Sequence, residues 1–267
     1  MIYGLLFEYY SFFLTGDNMS RREKREQRET EIIEKAISLL SARGFLDVRM
    51  SDIAGEAGYS MGTIYSHFES KEDLIVACAH LLSLDQQALF NAIALQPITA
   101  IEKIITLAQC SWLIATQHPD LIEIDNLSLM PSVWRRATRQ RAQSLNQLHV
   151  ELAATFLNMV MAAIEHDIQG HDHLDAAQKE LLATYLTHGM WGLCVGLSST
   201  AQSGYANNHC NAGHDETNAH FTTNYSNFLR GYGWQEEQPQ AVFERCMEIA
   251  RDSMSHTQWY SQKKVKA

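Results

Sequence analysis

The run SDIAGEAGYSMGTIYSHF, residues 51–68, restricts this chain more than any other stretch, through Ala54, Gly58 and Ile64. Two short helices that cross steeply bring their backbones almost into contact, and a small side chain at position 54 permits this. The tight turn between them calls for a residue that takes positive φ without a Cβ penalty, which Gly58 supplies. The second helix then needs a branched apolar anchor facing the core, and Ile64 has that shape. With a polar helix face following, the spacing predicts a helix-turn-helix, and DNA reading is the leading functional expectation.

The flanks agree with it. Ile33, Ala36, Ile37 and Leu40 fall at i, i+3, i+4 and i+7, so a first helix carries one apolar stripe. Gly44 ends that helix as its C′ residue, with Phe45 folding back on the stripe. Ser60 stands where it caps the second helix of the motif. Ser70 with Asp73 reads as a capping box opening a long fourth helix.

At this point the segment resembles the TetR family of one-component transcriptional regulators. The residues that carry the likeness are Ile33, Ala36, Leu40, Gly44, Phe45, Asp52, Ile53, Ala54, Ala57, Gly58, Ser60, Gly62, Thr63, Ile64, Tyr65, His67, Phe68, Ser70, Lys71, Glu72 and Leu74. The resemblance implies an all-α protein. It has an N-terminal three-helix DNA-binding head containing the helix-turn-helix, and a larger helical ligand-binding and dimerisation domain. Double-stranded DNA, an unknown small-molecule effector and a second copy of the chain are the implied partners, with no membrane and no cofactor.

By resemblance the recognition helix spans roughly 60–68. Met61, Thr63, Ser66 and the flank of Tyr65 face outward, and Gly62 lets the backbone approach the groove. Thr63 suits a thymine methyl or a base-edge acceptor, whereas Met61 offers apolar contact alone. Tyr65, His67 and Lys71 occupy positions the family uses largely on phosphates. Two departures stand out. Val48-Arg49-Met50 replaces the hydroxyl residue that usually caps the second helix; Arg49 has no acceptor for capping but reaches a phosphate well. Position 61 is often basic or small in the family and is Met61 here. The expected DNA-binding set is therefore Arg49, Ser60, Met61, Gly62, Thr63, Tyr65, Ser66, His67 and Lys71.

A formal net charge of −10 opposes a nucleic-acid partner until its distribution is read. Residues 19–28, MSRREKREQR, hold five basic and two acidic side chains, and a flexible basic arm of this kind reaches phosphates or the minor groove. The acid excess lies in the body. Residues 1–18 are too short and too interrupted by Glu8 for a membrane span and lack a basic leader. The expectation is a mis-annotated or disordered extension, with translation starting at Met19. Five scattered cysteines without a CxxC pair point to a reducing cytoplasm and no disulfide framework.

With 46% hydrophobic residues and only four prolines, the remainder reads as helical and long enough for a sizeable core. The expected division is a DNA-binding domain over 26–86 (recognition unit about 49–68), an effector-binding and dimerisation domain over 87–256, and a flexible tail over 257–267. Within the body, helices are predicted over 70–95, 99–117, 131–167, 174–200 and 239–254, with Pro119 and Pro131 each in the first turn of a helix. The resemblance places the dimer interface on about 174–200 and 217–231. Candidate effector walls are Trp112, Met130, Trp134, Met159, Tyr185, His188 and Trp191, a set that suits a mostly apolar ligand. The polar stretch SSTAQSGYANNHCNAGHDETNAH reads as a long loop. Its His209, Cys210, His214 and Asp215, and the separate His166, His171, Asp172 and His173, are metal-capable, but their spacing matches no regular site and no metal is expected.

No nucleophile elbow, P-loop, HExxH or dinucleotide fingerprint is present, so an enzyme is not expected. The expectation is a ligand-responsive, dimeric, cytoplasmic repressor. The alternative is a nucleoid-associated structural regulator using the same head.

Overall fold

The computed structural model describes residues 20–202 and 214–261, which form eleven helices. The expectations for residues 1–18, for a start at Met19, and for His209 and Cys210 lie outside the described residues.

Helix α1 (Arg21–Arg43) starts at Ser20, whose Oγ accepts from the Glu23 amide while the Glu23 carboxylate accepts from the Ser20 amide. This capping box, with the Arg22–Glu26 pair one turn on (2.7 Å), makes residues 21–28 regular helix. The basic run is thus the first two turns of α1 and not a flexible arm. Helices α2 (Met50–Ala57) and α3 (Met61–His67) complete the head, and α4 (Lys71–Ala94) leads into the body.

The body continues with α5 (Ala100–Gln117), α6 (Pro119–Ser128), α7 (Pro131–Trp134) and α8 (Arg139–His166). Both prolines open helices, as the sequence predicts. The predicted continuous helix over 131–167 is instead broken at 135–138. Thr138 is extended (φ −62°, ψ 145°), and its amide and hydroxyl both donate to Asp73 Oδ1 at 2.8 and 2.9 Å. A buried carboxylate on α4 thereby takes the donors that would otherwise continue the helix.

Helices α9 (Ala176–Gln202), α10 (His214–Gly231) and α11 (Pro239–Ser255) close the fold. The supposed loop from 198 to 220 is shortened from both sides, because α9 runs on to Gln202, whose Nε2 donates to Ala115 O (2.9 Å). After α10 the chain turns at Gly233 (φ 97°), where a Cβ would meet Gln169 O at 2.2 Å. Only glycine lets these two backbones pair, through Gln169 N–H to Gly233 O at 3.0 Å.

Helices α4 and α8 pack along one another at the centre, and α5 is sandwiched among α8, α9 and α11. Leu74, Ile75, Val76, Leu82 and Ile93 of α4 are fully buried against Leu145, Val160, Ala163 and Ile164 of α8 and their neighbours. Each such aliphatic side chain contributes about 1.5–3 kcal/mol through burial. Helix α8 is long and apolar enough to cross a membrane by length and composition, but its apolar stripe is spent on this core. The tail expectation is also corrected: Thr257 and Tyr260 are buried and Trp259 packs on the core.

Candidate nucleic-acid interface

The head is built as its sequence demands. Gly58 is left-handed (φ 71°, ψ 24°), and across it Tyr59 N–H donates to Ala54 O at 3.0 Å. Ala54 and Ile64 are buried, together with Ile53, Phe68 and the α1 stripe. Helix α2 lacks a side-chain cap from Arg49, but Asp52 Oδ2 accepts from the Arg49 amide at 2.8 Å, and Arg49 itself stays exposed. Half of a capping box thus replaces the missing hydroxyl. Ser60 caps α3 by accepting from Thr63 N–H at 3.1 Å.

This leaves one uncovered face on α3. Met61 is 38% and Tyr65 51% exposed, and Ser60, Gly62 and Ser66 are also at the surface. Thr63 is half-buried, its hydroxyl 2.9 Å from Ser60 Oγ, and Ser66 Oγ donates to Thr63 O at 2.7 Å. A mixed apolar and hydroxyl surface of this kind reads base edges better than it neutralises phosphate.

Two expected phosphate contacts are corrected. His67 has a side chain only 1% exposed, and its ring Nδ1 meets Glu29 Oε2 at 3.1 Å. A carboxylate has acceptors only, so the ring N–H donates, and His67 belongs to the interior of the head. Lys71 turns its ammonium onto the Phe45 carbonyl with the Phe45 ring 3.9 Å beneath it. Burial lowers the Lys71 pKa from its ordinary value, opposed by the charges of Glu72, Asp47 and Asp52. Lys71 therefore fastens the turn after α1.

Several residues were missed because their partners are distant in sequence. Arg25 Nη2 donates to Ser66 O at 3.0 Å, so the basic run touches the recognition helix directly. Arg141, at the start of α8, donates to Glu29 Oε1 (2.9 Å), His67 O (3.0 Å) and Asp73 Oδ2 (3.3 Å), and lies over the Phe68 ring at 4.7 Å. One body guanidinium thus holds the C-terminal end of α3. Burial pushes the Glu29 carboxyl upward, but His67 and Arg141 outweigh it and hold its pKa below the usual range. Arg136, from the same basic cluster, pairs with Glu72 at 2.6 Å.

The seven candidate effector residues do not converge on one cavity. Trp112 is core: its Nε1 donates to Asn218 Oδ1 at 2.6 Å and its ring stacks on Phe221 at 4.8 Å. Met130 is exposed and Trp134 half-buried, near α7. Tyr185, His188 and Trp191 face outward on α9, because that helix turns Ala183, Leu186 and Met190 inward. Met159 does line a cleft of about 310 Å³, with Ala94, Ala100, Lys103, Thr155 and Asn158. His171 is bonded through Nε2 to the Tyr232 carbonyl (2.8 Å), and among the described residues no three His, Cys, Asp or Glu side chains gather as a metal site.

Residues 32–78 match the family model described as bacterial regulatory proteins, tetR family. The helix-turn-helix segment is thus similar to the DNA-binding part of that family. The match runs from the middle of α1 to Cys78 in α4, so it covers the whole helix-turn-helix and the start of the body. Among curated relatives, the fatty acid metabolism regulator protein of Bacillus subtilis is 27% identical over 148 residues, 55% of this chain and 71% of the relative. The regulator AcrR of Shigella flexneri is 32% identical over 33% of this chain and 43% of its own length. The Bacillus subtilis regulator YerO is 33% identical but matched over only 23% of its length. Among solved structures, RolR in complex with resorcinol aligns over 84% of this chain and 97% of its own, with a TM-score of 0.54 at 19% identity. A tetR-family regulatory protein from Rhodococcus RHA1 aligns over 82% and 100%, with a TM-score of 0.52 at 16% identity. At these identities the structural likeness is one of fold, and it extends through the body.

Proposed function

We propose that this chain is a dimeric transcriptional regulator, a repressor released from its operator when a small molecule binds the body. The uncovered face of α3 carries the proposal: Met61, Tyr65 and Ser66 stand exposed on a helix whose other side is fixed by Ile64 and by Arg141. Arg49, Ser60, Gly62 and Thr63 complete the DNA-binding set. The names of the relatives favour a promoter-specific regulator over an architectural one.

Dimerisation is read from α9. Leu181, Tyr185, Trp191 and Val195 are 52%, 57%, 60% and 44% exposed, an uncovered apolar stripe of the sort that marks an interface. Phe228 of α10 packs directly on Gly189, so the two helices present one continuous surface, roughly 174–200 with 217–231, to a second copy. A two-fold pair would set its recognition helices into successive major grooves about 34–36 Å apart. The Met159 cleft, lined by Ala94, Ala100 and Ala162 together with Lys103, Thr155 and Asn158, suits a small, mostly apolar effector bearing a polar group. The likeness to a fatty acid metabolism regulator and to a resorcinol-binding regulator supports that chemical range. The site of action on this reading is the cytoplasm.

Selection of bound fragments from the source genome tests it. A small set of promoter fragments with an inverted repeat is expected. Dispersed binding without a repeat would favour the architectural alternative.

A further inference from the structure

The C-terminal segment after α11 is seated in a pocket with polar groups placed to receive it. Asp85 on α4 accepts from the backbone amides of Gln258 (3.2 Å) and Trp259 (2.7 Å). Tyr260, 3% exposed, accepts from Gln86 Nε2 at 3.2 Å through its phenol oxygen and donates towards Leu82 O at 3.5 Å. The same Gln86 amide donates to Asp125 Oδ2 on α6 at 2.9 Å. His118, at the α5–α6 junction, is hydrogen-bonded through Nε2 to the Tyr260 carbonyl (3.1 Å). Thr257 Oγ1 accepts from Tyr260 N–H at 3.2 Å and rounds the segment into a hook. Sequence alone marked these residues as a frayed tail.

The place of this pocket matters as much as its fit. Helix α6, which carries Asp125, is also the body helix against which α1 of the head packs. Gln258 reaches across to α1 itself, donating to Glu34 Oε1 at 3.2 Å. One short segment therefore touches the first helix of the head and the long connecting helix α4, and it reaches the helix on which the head rests through His118 at its start and through Gln86 to Asp125.

We propose that Thr257–Tyr260 is a strap that ties the head to the body, and that its seating holds the head in the orientation that binds operator DNA. Release of the strap frees α1 to move on α6, so the two recognition helices of a dimer lose their fixed spacing and affinity falls. The inference adds a regulatory element to the DNA-binding reading and rests on it for its second half.

Hydrogen exchange on the full-length protein, read on peptides from α1, α6 and α9, tests the strap without any DNA. The variants are a chain ending at His256, Tyr260→Ala, and the milder pair Tyr260→Phe with Gln258→Ala, which keeps the ring in its pocket should the others fail to fold. Exchange in α1 and α6 is expected to rise about tenfold in the first two and by less in the third, with α9 unchanged. Operator affinity, measured by anisotropy on a selected fragment, is expected to fall about tenfold, within the usual range of coupling between sites. Unchanged exchange in α1 with the strap released would overturn the tie. Raised exchange with unchanged operator affinity, in a protein whose Tyr65→Ala variant does lose DNA, would overturn the regulatory role. If the wild-type protein selects no DNA while exchange still rises, the reading of the head fails and the tie stands.

Discussion

Gly58→Ala would place a Cβ on a residue at φ 71°, where nothing crowds it in space but the backbone itself is strained. The expected cost is about 1–2 kcal/mol, measurable by urea unfolding, with Gly58→Asn losing less. This position was legible because a turn's demand for positive φ is local and is written in one residue type. Arg141 was not legible. Its carboxylate partners Asp73 and Glu29 lie 68 and 112 residues away, so the basic cluster read as a solvated face. Arg141→Met leaves two carboxylates, one of them fully buried, without their cation. A loss of about 3 kcal/mol in unfolding free energy is expected, the lower end for breaking a buried pair. A variant as stable as the wild type would show that the clamp contributes little.

Periodicity locates helices well and says little about what each face meets. The stripe of α1 and the caps at Ser60 and Ser70 could be read from spacing alone, whereas the capping boxes at Ser20 and Thr99 emerge only in the structure. The break between α7 and α8 could not, because it depends on Asp73 reaching Thr138. The outward turn of Tyr185, His188 and Trp191 was hidden for the same reason, since an apolar helix all round looks the same whether its partner is the core or a second copy. The strap adds a pH dependence at this level. Asp125 is half-buried, and its desolvation pushes the carboxyl up to about 7 against the lowering effect of Gln86. Facing it or the strap are Gln86 and Asp85 on α4, His118, Tyr260, and Glu34 on α1; Asp85 is also raised by burial against two backbone donors. A carboxyl raised in the folded state keeps a proton that the unfolded chain releases. Its contribution to stability is therefore present in acid and is lost as pH rises from about 4 to about 7. Thermal unfolding of Asp125→Asn against wild type is expected to show a flatter profile between about pH 5 and pH 7.5. Parallel profiles would mean that Asp125 does not titrate in this window.

For the whole molecule, the acidic net charge and the DNA-binding head are reconciled by where charges sit. Arg25 and Arg49 stand at or beside the recognition helix, and much of the acid lies on the body. On the proposed reading, the uncovered α9 stripe is the face that meets a second copy. Trp191→Glu with Val195→Asp is expected to shift sedimentation from dimer to monomer and to weaken DNA binding more than tenfold, because bivalent contact is lost. A wild-type monomer at micromolar concentration would remove the proposed interface. The most direct test of the account is a hydroxyl-radical footprint of the wild-type protein on its selected fragment, beside Tyr65→Ala and Thr63→Ala. Two protected half-sites, their centres one helical turn or a multiple of it apart, are expected. Tyr65→Ala should erase both half-sites, and Thr63→Ala should change the base preferred at one position in each. A single protected patch, or a footprint indifferent to both substitutions, would contradict a dimer that reads DNA with Met61–His67.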